Sequence, residues 1–169
     1  MVTLGIHIAK SVLSSQRKVD DLIEYAGPVL SLYRDGDENM FLRYWSSHDE
    51  ELNRWLIVPV TIDQLNAYLD RKISLREMLL HPEGDVVMIL DTDEDQRSTA
   101  LTLLQASEIP VNYLPKENSF YAFGRRFYSQ SSLSSNASIS VEYPELSETT
   151  TVGLDGTLVV TSSTELILS

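Results

Sequence analysis

Residues 53–64, NRWLIVPVTIDQ, predict a strand that runs directly into a helix. The residues up to Val60 are mostly β-branched, aromatic or aliphatic, which favours a strand. Thr61 and Gln64 have capping-box spacing. In this motif the threonine oxygen accepts a hydrogen bond from the third helical amide, and the glutamine side chain accepts one from the amide of the cap residue. Pro59 has no amide hydrogen, so we expect this strand to lie on a sheet edge or to stop there.

The same helix-start signature recurs downstream at Ser74 and Glu77. Two short helices are therefore expected, at about Ile62 to Asp70 and Leu75 to Leu80. The second should end before Pro82, because a residue that precedes proline is driven out of helical geometry.

Upstream, two apolar and aromatic runs, Pro28 to Arg34 and Met40 to Trp45, flank the turn-forming residues 35–39, DGDEN. This pattern predicts a β-hairpin. Before it, Val2 to Ala9 alternates with a period of two, which indicates a strand with one buried face. Lys10 to Tyr25 fits either a helix or a strand, and we favour a helix.

Downstream, the five consecutive apolar residues Val86 to Leu90 predict a strand covered on both faces, in the middle of the sheet. Asp95 to Ser107 has the apolar spacing of a helix, and Phe120 to Tyr128 reads as a further strand. We therefore expect an α+β protein with a mixed or mainly antiparallel sheet and short helices on one face.

The C-terminal region differs in composition, with 17 Ser or Thr among its last 41 residues and no basic residue after position 128. Asp155-Gly156 lies between two β-prone runs, which predicts a C-terminal β-hairpin appendage. The expected domains are an α+β core at 1–128, a Ser-rich linker at 129–137 and a β-rich appendage at 138–169.

Composition excludes several classes of protein. The 169 residues contain no cysteine, so disulfide scaffolds, thiol nucleophiles and cysteine-ligated zinc or iron–sulfur sites are absent, and we expect no cofactor. No apolar run approaches the roughly 20 residues that span a bilayer, and we expect a cytoplasmic protein. A formal charge of −12 makes general nucleic-acid or membrane binding unfavourable.

The best binding candidate is the run 120–128, FYAFGRRFY, which has five aromatic residues around an arginine pair. Aromatic side chains interleaved with cations can hold a partner by stacking and cation–π contacts. Trp45 and Trp55, each beside an arginine or a tyrosine, have the composition of interface hot spots. The candidate binding residues are Trp45, Trp55, Tyr121, Phe123, Arg125, Arg126, Phe127 and Tyr128, although core packing would explain the same residue types.

An alternative site is metal-binding, because Asp91, Asp93 and Asp95 follow the buried strand, where hydrolases often hold divalent ions. Glu83 or Asp85 could assist. The spacing does not fit an EF-hand, and acids in the first turn of a helix at Asp95 to Ser107 would explain the cluster without a metal.

Four short patterns at 20–95 resemble a bacterial domain family of unknown function: a GP-L strand, an aromatic hairpin, RWLIVPVT and SLRE. No catalytic or binding role is assigned to any of these motifs, so the resemblance implies no activity for this chain. The leading hypothesis is a non-catalytic acidic interaction module, an accessory or regulatory subunit of a bacterial multi-protein system that binds a protein partner or its own copies. The alternatives are a metal-dependent hydrolase or nuclease at Asp91, Asp93 and Asp95, and an anionic mimic of nucleic acid.

Overall fold

The computed structural model describes residues 2–49, 51–124, 126–129, 140–142, 149–152 and 158–161. Its helices are α1 (Val2–Ser15), α2 (Ile62–Leu69) and α3 (Leu75–Leu80). Its strands are β1 (Arg17–Glu24), β2 (Pro28–Arg34), β3 (Met40–Asp49), β4 (Leu52–Val60), β5 (Val86–Thr92), β6 (Ser98–Gln105), β7 (Ser140–Glu142), β8 (Thr149–Val152) and β9 (Leu158–Thr161).

Strands β1 to β6 form one sheet in chain order, and every neighbouring pair is antiparallel. The predicted α+β class and the β2–β3 hairpin are therefore confirmed. Strands β7 to β9 form a second sheet of three. The Asp155-Gly156 turn of the predicted appendage lies outside the described residues, and the predicted domain boundaries stay predictions.

Strand β4 lies inside the sheet, yet it accommodates Pro59. The pairing of β4 with β5 ends at Ile57 and Met88, two residues before the proline. The Pro59 carbonyl accepts from the Glu83 amide at 3.3 Å, so the proline nitrogen also points to this side. Because β5 does not pair with β4 beyond Met88, no ladder hydrogen bond is lost at the proline.

The sheet is covered on both faces, so the prediction of helices on one face is wrong. On the first face, helices α2 and α3 and the chain after β6 pack over Leu42, Leu56 and Val58. On the second face, α1 packs over Phe41, Trp55, Ile57, Met88 and Leu90. No helix in the described part of the chain is long and apolar enough to cross a bilayer.

The predicted strand at Val2 to Ala9 is wrong, because these residues begin α1. Ala9, Val12 and Leu13 of α1 pack into the core of the second face and have helical spacing, whereas Ile8 of the alternating set is 59% exposed. The helix favoured for Lys10 to Tyr25 ends at Ser15, and β1 follows. Strand β1 has three register shifts against β2, which hide its alternation in the sequence.

The predicted helix at Asp95 to Ser107 is also wrong, because most of this range is strand β6. Leu104 faces the first side of the sheet, whereas Leu101 and Leu103 face α1. The Val86 to Leu90 strand is confirmed, but it is next to the edge and not in the middle. The described residues of the predicted Phe120 to Tyr128 strand have no strand conformation.

Both predicted capping boxes are confirmed. At α2, the Gln64 amide donates to Thr61 Oγ1 at 3.2 Å and the Thr61 amide donates to Gln64 Oε1 at 3.0 Å. At α3, the Glu77 amide donates to Ser74 Oγ at 3.2 Å and the Ser74 amide donates to Glu77 Oε2 at 2.7 Å. These reciprocal bonds satisfy helix-end amides that would otherwise lack partners.

Replacing Ile57 with alanine tests the packing of α1 on the second face. Ile57 is fully buried, and Ile57→Ala should lower the free energy of unfolding by about 2–5 kcal/mol, measured by urea denaturation. Lys10→Ala, an exposed change on α1, should cost less than about 1 kcal/mol. Equal effects of the two variants would contradict the burial of this face.

Candidate protein-binding segment

After β6 the chain crosses the first face of the sheet with little regular structure. Two single-turn 3₁₀ helices, Ala106–Glu108 and Val111–Tyr113, are its only regular elements up to residue 124. We call residues 120–128 the aromatic segment; all of it except Arg125 is described. Loops without ladder hydrogen bonds depend on side chains to hold them in place, and this segment has three such anchors.

The first anchor is Tyr121, which is fully buried in the core of the first face. Its ring meets the ring of Tyr68 on α2 edge-on, with centroids 5.6 Å apart. The ring of Phe123 also meets the Tyr121 ring edge-on, with a centroid distance of 5.9 Å. Edge-to-face pairs of this kind contribute about 0.5–1.5 kcal/mol beyond the area that they bury.

The second anchor joins the segment to the edge strand β1 through Asp20. Arg126 Nη1 donates to Asp20 Oδ2 at 2.8 Å, and the Tyr128 hydroxyl donates to the same oxygen at 2.5 Å. The Arg126 and Asp20 side chains are only 13% and 16% exposed. Desolvation is the largest influence on Arg126 and lowers its pKa, but Asp20, Tyr121 and Tyr128 together outweigh it, and the pKa of Arg126 is raised.

The third anchor is Asn66 on α2, which satisfies both backbone groups of Tyr128. Asn66 Nδ2 donates to the Tyr128 carbonyl at 2.8 Å, and the Tyr128 amide donates to Asn66 Oδ1 at 2.9 Å. Burial, with a further contribution from Asp20, raises the pKa of the Tyr128 phenol well above its ordinary value. The backbone of the segment is thereby held at Tyr128 by two hydrogen bonds from one side chain.

Although the segment is anchored, it presents phenylalanines to solvent. Phe120, Phe123 and Phe127 are 44%, 46% and 70% exposed. Of these, Phe120 is missing from the binding residues predicted from sequence, although it belongs to the run 120–128. Its position in the same aromatic run was the signal that could have found it.

The predicted binding residues have different surroundings in the structure. Trp55, Tyr121 and Tyr128 are core residues. Trp45 is half-buried on the second face, whereas the aromatic segment lies on the first, so the tryptophans and the segment are not brought together. Arg126 is engaged by Asp20, Phe123 and Phe127 are exposed, and Arg125 lies outside the described residues.

Contacts inside the protein explain the presence of Trp55 without a binding partner. Its Nε1 donates to Thr92 Oγ1 at 3.2 Å, and the Arg43 guanidinium lies 4.5 Å from its ring centroid. Burial lowers the pKa of Arg43. Trp45 is held similarly, since its Nε1 donates to Asn53 Oδ1 at 3.2 Å.

The three aspartates of the metal hypothesis have separate roles in the described structure. Asp91 is paired with Arg54 on the neighbouring strand through two hydrogen bonds of 2.7 and 2.8 Å. Asp93 closes the β5–β6 turn by accepting from the Arg97 amide at 2.8 Å. Asp95 forms an exposed ion pair with Arg97 at 3.1 Å.

Glu83 and Asp85, the suggested helpers, are exposed in the connection between α3 and β5. Within the described ranges, no three His, Cys, Asp or Glu side chains are grouped so that they could hold a metal ion. The explanation of the aspartates as residues of a helix N-terminus is also wrong, because β6 replaces that helix.

Breaking the Asp20 anchor should destabilise the protein. Asp20→Asn leaves the mostly buried cation of Arg126 without its ionic partner, and the free energy of unfolding should fall by about 3–5 kcal/mol in urea denaturation. Asp37→Asn, at an exposed position of the β2–β3 turn, is the control and should cost less than about 1 kcal/mol. A small loss for Asp20→Asn would show that Arg126 does not depend on Asp20.

The raised pKa values of Tyr128 and Tyr68 make stability depend on alkaline pH. Below about pH 10 both phenols are protonated in the folded and unfolded chains, so their contribution is complete. Above it the unfolded chain releases protons that the folded chain retains. The free energy of unfolding should then fall by up to about 1.4 kcal/mol per pH unit for each tyrosine.

Urea denaturation of the wild type, Tyr128→Phe and Tyr68→Phe checks this dependence, from pH 8 up to the highest pH at which the wild type is still folded. Each variant should lose stability less steeply with pH than the wild type, because one of the two phenols has been removed. Identical slopes in all three proteins would contradict it.

Comparison with known proteins places the chain in a family. No curated protein and no solved structure matches it. A family model matches residues 6–152, which include all six strands of the large sheet and the aromatic segment, a longer stretch than the 20–95 over which the resemblance was seen. The chain therefore belongs to the family of unknown function DUF6575.

Proposed function

We propose that this protein is a non-catalytic interaction module, an accessory or regulatory subunit of a bacterial multi-protein system that binds a partner protein through its aromatic segment. One observation carries the proposal: Phe123 and Phe127 are exposed on a segment that buried side chains hold in place. An exposed phenylalanine on a mobile loop would lose entropy when it binds. Here folding has already ordered the backbone that carries the phenylalanines, so less entropy is lost on binding.

The anchors alternate with the exposed residues along the segment. Tyr121 and Tyr128 are buried, Arg126 is ion-paired, and the phenylalanines between them face solvent. A segment that served only to cover the first face would have no need of large apolar side chains on its outer side, where they expose surface to water. Aromatic side chains in fixed positions are frequent anchors of protein interfaces.

The charge of the chain indicates the kind of partner. With a formal charge of −12, it attracts a basic surface and repels an acidic one, which favours encounter with a cationic protein. A suitable partner would have apolar pockets for the phenylalanines and a surrounding rim of lysine or arginine.

No observation favours the two other hypotheses, a metal-dependent hydrolase or nuclease and an anionic mimic of nucleic acid. A metal-dependent hydrolase would need Asp91 as a ligand, but Arg54 occupies both of its oxygens. An anionic mimic of nucleic acid would require regularly spaced carboxylates, whereas Asp20 and Asp91 are paired with arginines and Asp93 closes a turn.

Substitution of the exposed phenylalanines tests the proposal. Phe123→Ser with Phe127→Ser should abolish co-purification of a partner after cross-linking in the host, while the protein melts within a few degrees of the wild type. Tyr25→Ser is the matched control, because Tyr25 is an aromatic residue that is 86% exposed outside the segment.

The partner so identified is then purified and titrated by calorimetry. Each single phenylalanine variant should weaken its binding roughly 5- to 30-fold, which corresponds to about 1–2 kcal/mol. The proposal fails if every co-purifying protein is recovered equally with the double variant and with Tyr25→Ser.

A further inference from the structure

A cavity of about 310 Å³ lies between α1 and β6 on the second face of the sheet. Its apolar wall includes Leu13, Leu90 and Leu101, which belong to the core of that face or pack against it. Cavities that bind small molecules have volumes of about 300–1,000 Å³ and are lined mainly by apolar side chains with a few polar groups. This cavity is at the lower end of that range, so it fits a small ligand.

The wall of the cavity that β6 forms contains an irregularity of the sheet. The pairing of β6 with β5 shifts register next to the pair Thr92↔Ser98, which leaves Thr99 as an extra residue in β6. Thr92 lies on the second face, since its hydroxyl accepts from Trp55, and opposed side chains lie on the same face of a sheet. Ser98 is therefore directed to the second face, and both Ser98 and Thr99 line the cavity. Bulges of this kind often direct side chains into functional sites.

The polar groups that line the cavity differ in whether their hydrogen atoms are already bonded. Ser14 lies one helical turn after Lys10 on the same side of α1, and its hydroxyl donates to a carbonyl of that helix at 2.8 Å. The Thr99 hydroxyl donates to a carbonyl of β5 at 3.1 Å. The Lys10 ammonium and the Ser98 hydroxyl donate to no group in the described part of the chain. These two groups can therefore donate to a ligand.

The charge at the rim of the cavity is positive, although the protein as a whole has a formal charge of −12. Lys10 is exposed on α1, whose sequence contains no acidic residue, and it forms no ion pair with any carboxylate that the structure describes. In the turn before β6, the charge of Asp95 is balanced by Arg97 at 3.1 Å. An apolar cavity with one unpaired cation at its rim is complementary to an anion that has an apolar body.

We propose that this cavity binds a small monocarboxylate with an apolar body of about eight carbon atoms. The carboxylate accepts from Lys10 and Ser98 at the rim, and the hydrocarbon lies against the leucines. A volume of 310 Å³ corresponds to roughly ten water-sized volumes of about 30 Å³ each, and octanoate has about ten non-hydrogen atoms. Burial of the hydrocarbon supplies most of the affinity, whereas the charge-assisted hydrogen bonds select the headgroup.

Titration of the full chain with octanoate, followed by heteronuclear NMR, tests the proposal. The amide signals of residues 10–14 and 98–101 should shift and saturate, with a dissociation constant below about 1 mM. Octylamine has the same hydrocarbon and the opposite charge, and it should bind at these residues at least about tenfold more weakly.

Substitution of Lys10 tests the role of the cation. Lys10→Met keeps the apolar stem and should weaken octanoate binding about fivefold, while the affinity for uncharged octanol changes less than about twofold. Lys10→Arg should bind octanoate within about twofold of the wild type. The matched control is Lys116→Met, which makes the same change in net charge at an exposed position outside the cavity and should leave octanoate binding unchanged.

Filling the cavity tests its role independently of charge. Ser98→Phe places a large side chain in the cavity from β6 and should abolish binding of both octanoate and octanol. Ser98 is exposed and aromatic residues are favoured in strands, so this variant should melt within a few degrees of the wild type.

The proposal is overturned if octanoate causes no saturable shifts at residues 10–14 and 98–101, or if Lys10→Met and Lys116→Met have equal effects. Undiminished octanoate binding by the folded Ser98→Phe protein would also overturn it. The proposal is independent of the proposed function, and the two can fail separately. The Phe123→Ser, Phe127→Ser protein should bind octanoate as the wild type does, and Lys10→Met should still bind the partner protein.

Discussion

The burial of β4 on both faces is the constraint on which the rest of the structure depends. Four consecutive residues, Trp55 to Val58, are buried, and alternation sends them in turn to the two sides of the sheet. A strand of this kind is stable only if both sides are covered. One cover is α1, and the other is formed by α2, α3 and the chain after β6. Loss of either layer would expose half of these residues to water.

This constraint explains why the candidate site has its form. The chain after β6 must cover the first face, and it does so with Tyr121 and Tyr128 as buried anchors while its phenylalanines remain outside. Because the six strands follow one another in chain order, β1 and β6 lie at opposite edges of the large sheet. Strand β1 is protected by charge and by three register shifts against β2. The chain after β6 thus presents an aromatic surface on the first face of the sheet.

The sequence indicated the composition of the candidate site but not its form. The run FYAFGRRFY singled out this stretch of chain as a binding candidate, but its alternation suggested a strand. Its buried and exposed residues are instead sorted by Asp20 and Asn66, which lie 108 and 62 residues from Tyr128 in the sequence. A contact over such a separation leaves no local pattern. Likewise, Arg54 lies 37 residues from Asp91. The local sequence around Asp91 does not reveal this ion pair, so the aspartate was considered a possible metal ligand.

By itself, the sequence determined those elements whose stabilising contacts are local. The helices after Thr61 and Ser74 have their caps within three residues, and the β2–β3 hairpin closes over a five-residue turn. The tertiary structure alone decided that α1 is a helix and β6 a strand. Both are short apolar stretches with ambiguous periodicity, and the surface against which each is buried comes from distant parts of the chain. The free energy of that burial outweighs the weak local preference of either segment.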